Sequence, residues 1–464
     1  MQPLFAPPDS LFSKSSRPSF AIADTLVFSQ IPAEVSTITV EQALQLAMAW
    51  DRAGQFAISE PIYRQVLAAQ PNHLEALHRL AAAYRQLGRS EDALACEKRA
   101  LVLGQPQSPS QNPRTARRLC CPAPPPLASG WGVCMKQLVH HLSAWVDVVL
   151  QDSSKNPITF FDGPVFMPLN DHEFNPFQPV RGTRNFGYTF FEFALEPKSV
   201  SNAARFDSVF CGSTWCLDRM RDRGIHNGKV LVQGVDHSLF HPQSPAAQPA
   251  DGQLRIFTGG KFEFRKGQDV VIAAFREILS RFPRARLVCA WHNLWPALIG
   301  GMKRSPHVVL PTGEFENQTR LYREILLLNG IPEANFEILP LMSQTEIADA
   351  MRSTDLGVFT NRCEGGTNLV LMEYLACGRP AVVTASTGHA DVVAPAYALT
   401  LPPHLTPEFW DEPNVAEVAA AITQLGESSS LRATLGAAAG EAMRPYTWER
   451  AARTIMETIF PAEE

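Results

Sequence analysis

The stretch EGGTNLVLMEYLACGRPAVVT, Glu364–Thr384, opens with an acid and two glycines and runs into an apolar segment that carries a second acid, Glu373. It closes on Cys-Gly-Arg-Pro and a short β-branched run. Residues 355–360 before it read as a strand, so the stretch spells strand, loop, helix, strand. The N–H groups at a helix start form an anion site, and Thr367 or Asn368 is placed to cap that start. A carboxylate directly before such a site is awkward beside a phosphate. Glu364 makes sense facing the neutral hydroxyls of a sugar. Glu373, inside the helix, can accept both hydroxyls of a ribose, because a carboxylate takes a bidentate pair. The expected ligand is therefore a diphosphate with a polyol at each end. Glu373 alone also reads as a solvent-facing helix residue.

Working outward, residues 346–359 (EIADAMRSTDLGVF) read as a helix leading into a strand. Upstream, LRIFT (254–258) precedes a Gly-Gly turn and the helix QDVVIAAFREILSRF, in which Val271, Phe275, Ile278 and Phe282 share a face. A strand, ARLVCAW, follows at 285–291. This alternation predicts a doubly wound α/β fold, whose ligands lie beyond the carboxyl ends of the strands. The loop Gly259-Gly260-Lys261…Lys266-Gly267 then supplies close backbone approach and two lysine heads suited to a diphosphate. Taken alone, the lysines read equally well as solvated surface charges. Near 118–121 another short run precedes PAPPPLASGWG, a second glycine-containing strand-to-helix loop. The break between two α/β halves is expected at 242–252.

The N-terminal part follows a different rule. Leu46, Ala47, Trp50, Gly54 and Leu67 recur as Leu80, Ala81, Tyr84, Gly88 and Leu101, each 34 residues on, the tetratricopeptide period. Small alanines let two helices approach, aromatics fill between them, and glycines turn the chain. The first copy departs from the second in carrying Ser59 where the second has Ala93. Two such hairpins are few for an array standing alone, so a covering partner or domain is expected. Residues 1–37 read as a disordered tail and 106–117 as a linker. Charges of 41 basic and 46 acidic residues, net −5, give no reason to expect nucleic acid. Nine cysteines without a CxxC pattern suggest reduced thiols and a cytoplasmic location. Cys120-Cys121 has no partner at zinc-site spacing and reads as buried small residues. No segment reaches the length of a membrane span.

With these residues in view, the C-terminal half resembles the family-four retaining glycosyltransferases of the GT-B fold. The resemblance is carried by five ordered segments. They are GVD (234–236) with Phe240 and Pro242, then GGKFEFRKGQDVVIAAF, then MSQTEIADAMRSTDLGVFTNRCEGG ending at Glu364. LMEYLACGRPAVVT with Glu373 and YTWERAA (446–452) complete them. It implies Lys261 in the family's Arg place, Lys266 in its Lys place, and donor contacts from Gly260, Gly365, Gly366, Thr367, Asn368, Leu369 and Glu373. In the first half, ASGWGVCMKQL resembles the family's glycine loop at Gly130 and Gly132, and YTFFE (188–192) an acceptor-side segment ending in Glu192. His140 and His141 read as surface or packing residues. The family has seven residues between its glutamates and this chain has eight, so either the loop bulges or one glutamate is misassigned. Lysine at 261 also loses the forked geometry of arginine.

The expected architecture is thus GT-B: two Rossmann-like domains facing a cleft, preceded by an all-α tetratricopeptide segment. The boundaries are 1–37 tail, 38–105 repeats, 106–117 linker, 118–245 acceptor domain and 246–464 nucleotide-sugar domain with closing helix. The implied activity is transfer of a sugar from a UDP-, GDP- or ADP-sugar to an acceptor hydroxyl with retention, without cofactor or metal. Glu364, Lys261 and Lys266 would carry the chemistry. A glycan or protein is the expected acceptor, and the repeats could hold a protein partner. The alternatives are a non-catalytic repeat protein with a degenerate GT-B part, or a GT-B nucleotide-sugar epimerase.

Overall fold

The computed structural model describes residues 25–27, 37–103, 117–122, 130–151, 159–170, 172–243 and 253–461. It divides into two compact units, Met1–Leu103 and Gly104–Glu464. Most of the stretches read as tail and linker lie outside the described residues.

In the first unit, strand β1 (Thr25–Val27) pairs antiparallel with β2 (Thr37–Thr39). Four helices follow: α1 (Val40–Arg52), α2 (Phe56–Ala69), α3 (Leu74–Gln86) and α4 (Ser90–Leu103). Thr39 and Gln42 form a capping box at the start of α1. Gly54 and Gly88 sit at φ 72 and 73, in the left-handed region that glycine reaches without penalty, and turn the two helical hairpins. Ala43, Ala47, Leu80 and Ala81 lie in the core between them. Ser59 has a reason to differ from Ala93. Its hydroxyl donates to the buried Asp51 carboxylate at 2.5 Å, and Tyr63 Oη donates to the same group at 2.6 Å. A buried charge needs such donors.

The second unit holds two six-stranded parallel sheets. The first lobe contains β3 (Arg118–Pro122), α5 (Gly130–Leu142), β4 (Asp147–Gln151), β5 (Thr159–Pro168), β6 (Val180–Thr189), α6 (Pro197–Ala203), β7 (Ser208–Cys211), α7 (Thr214–Asp222) and β8 (Gly228–Val230). Its strand order is β4-β3-β5-β6-β7-β8. Gly130 and Gly132, read as a loop, instead occupy the first turn of α5. Cys120 and Cys121 are buried in β3.

The second lobe contains β9 (Arg255–Gly260), α8 (Gln268–Ile278), β10 (Arg286–Trp291), α9 (Gln318–Leu328), β11 (Phe336–Ile338), α10 (Gln344–Arg352) and β12 (Leu356–Phe359). It continues with α11 (Leu369–Ala376), β13 (Ala381–Thr384), β14 (Leu399–Leu401), α12 (Val415–Glu427), α13 (Ser429–Met443) and α14 (Trp448–Ile459). The order β11-β10-β9-β12-β13-β14 reverses between β9 and β12, and that switch point is where an open α/β sheet leaves a crevice. The expected Gly-Gly turn after residue 258 is instead the end of β9. Gly259 and Gly260 stay paired with Ala290 and Trp291, since a parallel ladder satisfies their backbone groups. Val271, Phe275 and Ile278 of α8 are buried as their spacing requires, and Phe282 packs partly against the same core.

Helix α14 crosses back to the first lobe. Trp448, Ala451, Ala452, Ile455 and Ile459 join the core formed by Leu119, Met135, Leu138 and Phe166. At this crossing Val235 N donates to Tyr446 O at 2.9 Å, and Gly234 lies so close to Thr447 and Trp448 that a Cβ would meet backbone at 2.2 Å.

Candidate active site

The loops after β9 and β12 flank the switch point and meet. From the first come Lys261, Glu263, Arg265 and Lys266; from the second come Asn361, Glu364 and the Gly365-Gly366 pair. Lys266 Nζ lies 2.5 Å from Glu364 Oε1, and Arg265 Nη1 lies 3.2 Å from Glu364 Oε2. Asn361 Nδ2 also donates to Glu364. Arg265 reaches Glu263 at 2.6 Å and, across the lobes, Glu192 at 3.2 Å. Lys261 contacts Glu263 at 3.4 Å rather than Glu364. Three cations thus face three carboxylates in a largely buried cluster.

The charges set one another. Burial alone would raise the Glu364 carboxyl, but Lys266 and Arg265 outweigh it and hold it down to about 2. Burial likewise opposes the charge on Arg265, and Glu192, Glu364 and Glu263 together push its pKa above the usual arginine range. Lys261 is lowered, first by burial and then by Arg265. Glu364 was expected to face neutral hydroxyls. It pairs with the cations, because a buried carboxylate without partners is costly.

Glu373 stands in contrast. It lies in the second turn of α11, only 8% exposed, so the solvent-facing reading is excluded. Among the described residues its side chain has neither a hydrogen bond nor an ion pair. Burial, and then Asp236, push its carboxyl up to about 8. A buried titratable group held in this way is a mark of a functional site.

Asn368 adopts φ 59 directly before Leu369 opens α11. Neither expected cap forms. The Asn368 amide pairs with His389 Nε2 at 3.0 Å, and Thr367 Oγ1 lies 3.0 Å from Met372 Sδ. His389 is buried, its other ring nitrogen 3.0 Å from Thr384 O. Burial lowers it to about 4, so the ring is neutral near pH 7.

Gly365 and Gly366 are required by close approach. A Cβ on Gly365 would meet Phe191 O at 2.4 Å, and one on Gly366 would meet the Phe190 ring at 2.8 Å. From the first lobe, Ser213 Oγ donates to Gly365 O at 2.8 Å, and Thr214 N donates to Asp391 at 2.7 Å. The lobes are therefore closed over the start of α11. Gly130 and Gly132 lie at the start of α5 in the first lobe, and Gly260 ends β9 just before Lys261.

Three participants escaped the sequence reading. Arg265 is the most connected cation of the cluster, and its place directly before Lys266 was the available signal. His389 carried none, since it lies in a separate loop. Arg362, 1% exposed, is bound on every side. Its guanidinium is bidentate to Asp269 at 2.8 Å, reaches Glu412 at 2.8–3.1 Å, and donates to Phe264 O at 2.8 Å. It also stacks 3.8 Å over the Phe264 ring. It thereby fastens the cation loop, the Glu364 loop and residues 404–412 together. Among the described residues no His, Cys, Asp and Glu group is arranged to hold a metal ion, and no helix is long and apolar enough to cross a membrane.

Residues 242–442, which carry this cluster apart from Glu192, match the family described as Glycosyl transferases group 1. The chain is 26% identical to the D-inositol 3-phosphate glycosyltransferase of Nocardioides sp. over 52% of its own length and 50% of that protein. It is 23% identical to the phosphatidyl-myo-inositol mannosyltransferase of Mycobacterium tuberculosis over 59% and 64%. The chain thus spans about half to under two thirds of these curated relatives. In structure it resembles sucrose-phosphate synthase from Thermosynechococcus elongatus, with TM-score 0.53 and 14% identity, covering 74% of this chain and 98% of that one. It also resembles Anabaena HepE in complex with UDP and glucose, with TM-score 0.52 and 14% identity, covering 74% and 99%. The likenesses in structure establish a GT-B-like α/β fold for the two lobes.

Proposed function

We propose that the protein transfers a sugar from a nucleoside-diphosphate sugar to an acceptor hydroxyl with retention of configuration. The observation that carries this reading is the convergence of Arg265 and Lys266 on Glu364, with Lys261 held on neighbouring Glu263, at the switch point beside the start of α11. A leaving diphosphate placed there would take over the cations now held by carboxylates, which is stabilisation of charge where it develops. Glu364 would then be released toward the hydroxyls of the transferred sugar, and Glu373 would accept from the ribose. Among the described residues no side chain is set as a nucleophile with a base behind it, which favours a front-face displacement. In that step the acceptor oxygen bonds to the anomeric carbon, the bond to the diphosphate breaks, and the acceptor proton passes to the departing phosphate oxygen. Because the closed lobes cover Gly365 and Gly366, donor entry requires them to separate.

A thermal-shift and hydrolysis panel of uridine, guanosine and adenosine diphospho-sugars tests this. UDP-glucose is the natural first member, since Anabaena HepE has been solved with it. A donor at 100 times its Kd should stabilise the protein by about 2.7 kcal/mol. If no diphospho-sugar shifts the transition or is turned over, the reading fails.

We read α1–α4 as two tetratricopeptide repeats that recruit or orient the acceptor, a polypeptide or glycan of some size. They form a unit distinct from the residues that hold the cation cluster. A chain beginning at Gly104 is therefore expected to stay soluble and to keep the full donor-induced thermal shift. Aggregation, or loss of that shift, would make the helices a structural cover instead.

A further inference from the structure

We propose that Phe193 and Trp410 form the acceptor subsite, a two-ring platform for the pyranose ring of a neutral glycan. This deepens the glycosyl-transfer reading and rests on it. Phe193 is 52% exposed. Its ring centroid lies 5.9 Å from that of Trp410, with the planes tilted at 48°. The two rings come from opposite lobes.

The platform is continuous with the ion cluster. The Trp410 indole N–H donates to Glu192 O at 2.7 Å. The Glu192 carboxylate lies 3.2 Å from Arg265, which itself lies 3.2 Å from Glu364. One backbone step separates Phe193 from this chain of contacts.

The turn that presents Trp410 is built rather than loose. Thr406 N donates to Trp410 O at 2.7 Å, and Asp411 N donates to Arg362 O at 2.7 Å. Phe409 is held at φ 63, unusual for a bulky residue, with Arg219 of the first lobe 4.0 Å over its ring. Strain of this kind persists where the surroundings enforce it and gathers at binding sites.

The chemistry selects the occupant. A pyranose offers an apolar C–H face ringed by hydroxyls. The exposed Phe193 ring, paired with Trp410, supplies aromatic surface for the former. His172, edge-on to the Phe193 ring at 6.0 Å, and Arg304, 5.9 Å over the Trp410 ring, supply polar groups for the latter. Two rings span one or two sugars, whereas an extended peptide takes a longer groove or a sheet edge.

Saturation-transfer NMR on the full chain with maltose, cellobiose and N,N′-diacetylchitobiose, each with UDP in the same tube, tests the assignment. We expect transfer to the C–H face of at least one disaccharide. Phe193→Ala and Trp410→Ala should each weaken that glycan by about tenfold, the scale on which truncated aromatic anchors act. Trp410→Phe, which keeps a ring, should retain the signal, and the UDP resonances should respond alike in all four proteins. The platform is overturned if no disaccharide receives saturation from the parent protein, if the alanine variants leave the glycan signal unchanged, or if they lose UDP and glycan together. Absence of UDP signals throughout, with glycan signals that follow the ring variants, would sink the donor reading and leave the platform standing.

Discussion

Lys266→Ala is expected to cost the ligand-free protein about 3–5 kcal/mol of stability as well as its turnover. The sequence alone places Lys266 in a phosphate loop, where its loss would touch function more than folding. The structure changes that expectation, because Lys266 is largely buried and 2.5 Å from the more deeply buried Glu364. Removing one partner leaves a buried charge short of compensation, whereas removing both need not. A chemical-denaturation cycle over Lys266→Met, Glu364→Gln and the double variant separates the two effects. The double variant should recover most of the stability lost by Lys266→Met and none of the transfer. The loss of transfer is expected on the order of 2–4 kcal/mol in transition-state terms, that of a missing charge-stabilising donor. If the double variant turns over donor at the parent rate, the cluster is a fold element alone. The same pair adds an acid limit. The Glu364 carboxyl is held at about 2 against an ordinary 4.5, so its contribution is complete above pH 4.5 and is lost as pH falls toward 2.

What the sequence disclosed, and what it hid, follows from the range of each interaction. Helix α8 was legible because Val271, Phe275 and Ile278 repeat at helical spacing, and the site loops because glycines and charges cluster at strand ends. The pairing of Lys266 with Glu364 joins residues 98 positions apart, and no local pattern announces it. Arg362 shows the same limit. It stands two residues before Glu364, and its partners Asp269 and Glu412 come from two other segments. Glycines were recognised as marks of close approach without disclosing what approaches. At Gly365 and Gly366 it is Phe191 and Phe190 of the opposite lobe, and at Gly259 it is Val370 of α11 and the Phe257 ring, each 2.9 Å from where a Cβ would lie. Asn368 was read as a cap from residue type, but a left-handed backbone turns its amide toward His389. Capping preference is a weak local term, and a buried histidine that needs a partner overrides it.

Glu373→Gln is expected to stabilise the ligand-free protein at alkaline pH while weakening its hold on a donor. Glu373 is buried without a side-chain partner among the described residues, and its carboxyl stands at about 8 against an ordinary 4.5. The sign follows from proton binding. Between pH 4.5 and 8 the folded state keeps a proton that the unfolded chain has released, so stability falls as pH rises through this window. Above pH 8 the fold carries an ionised, desolvated carboxylate. At about 1.4 kcal/mol for each pH unit, the accumulated penalty is on the order of 3–5 kcal/mol. Glutamine keeps the shape and cannot ionise. Denaturation midpoints of the parent and the variant should therefore coincide near pH 4, diverge between about pH 4.5 and 8 and level off above that, with the variant the more stable. Donor binding should move the other way, since an amide offers one acceptor where the carboxylate offers two. A group kept at a cost to the free fold and repaid by ligand is the pattern of a binding site. Parallel midpoints across the whole pH range would mean that Glu373 is satisfied in solution, and the ribose assignment would lose its physical basis.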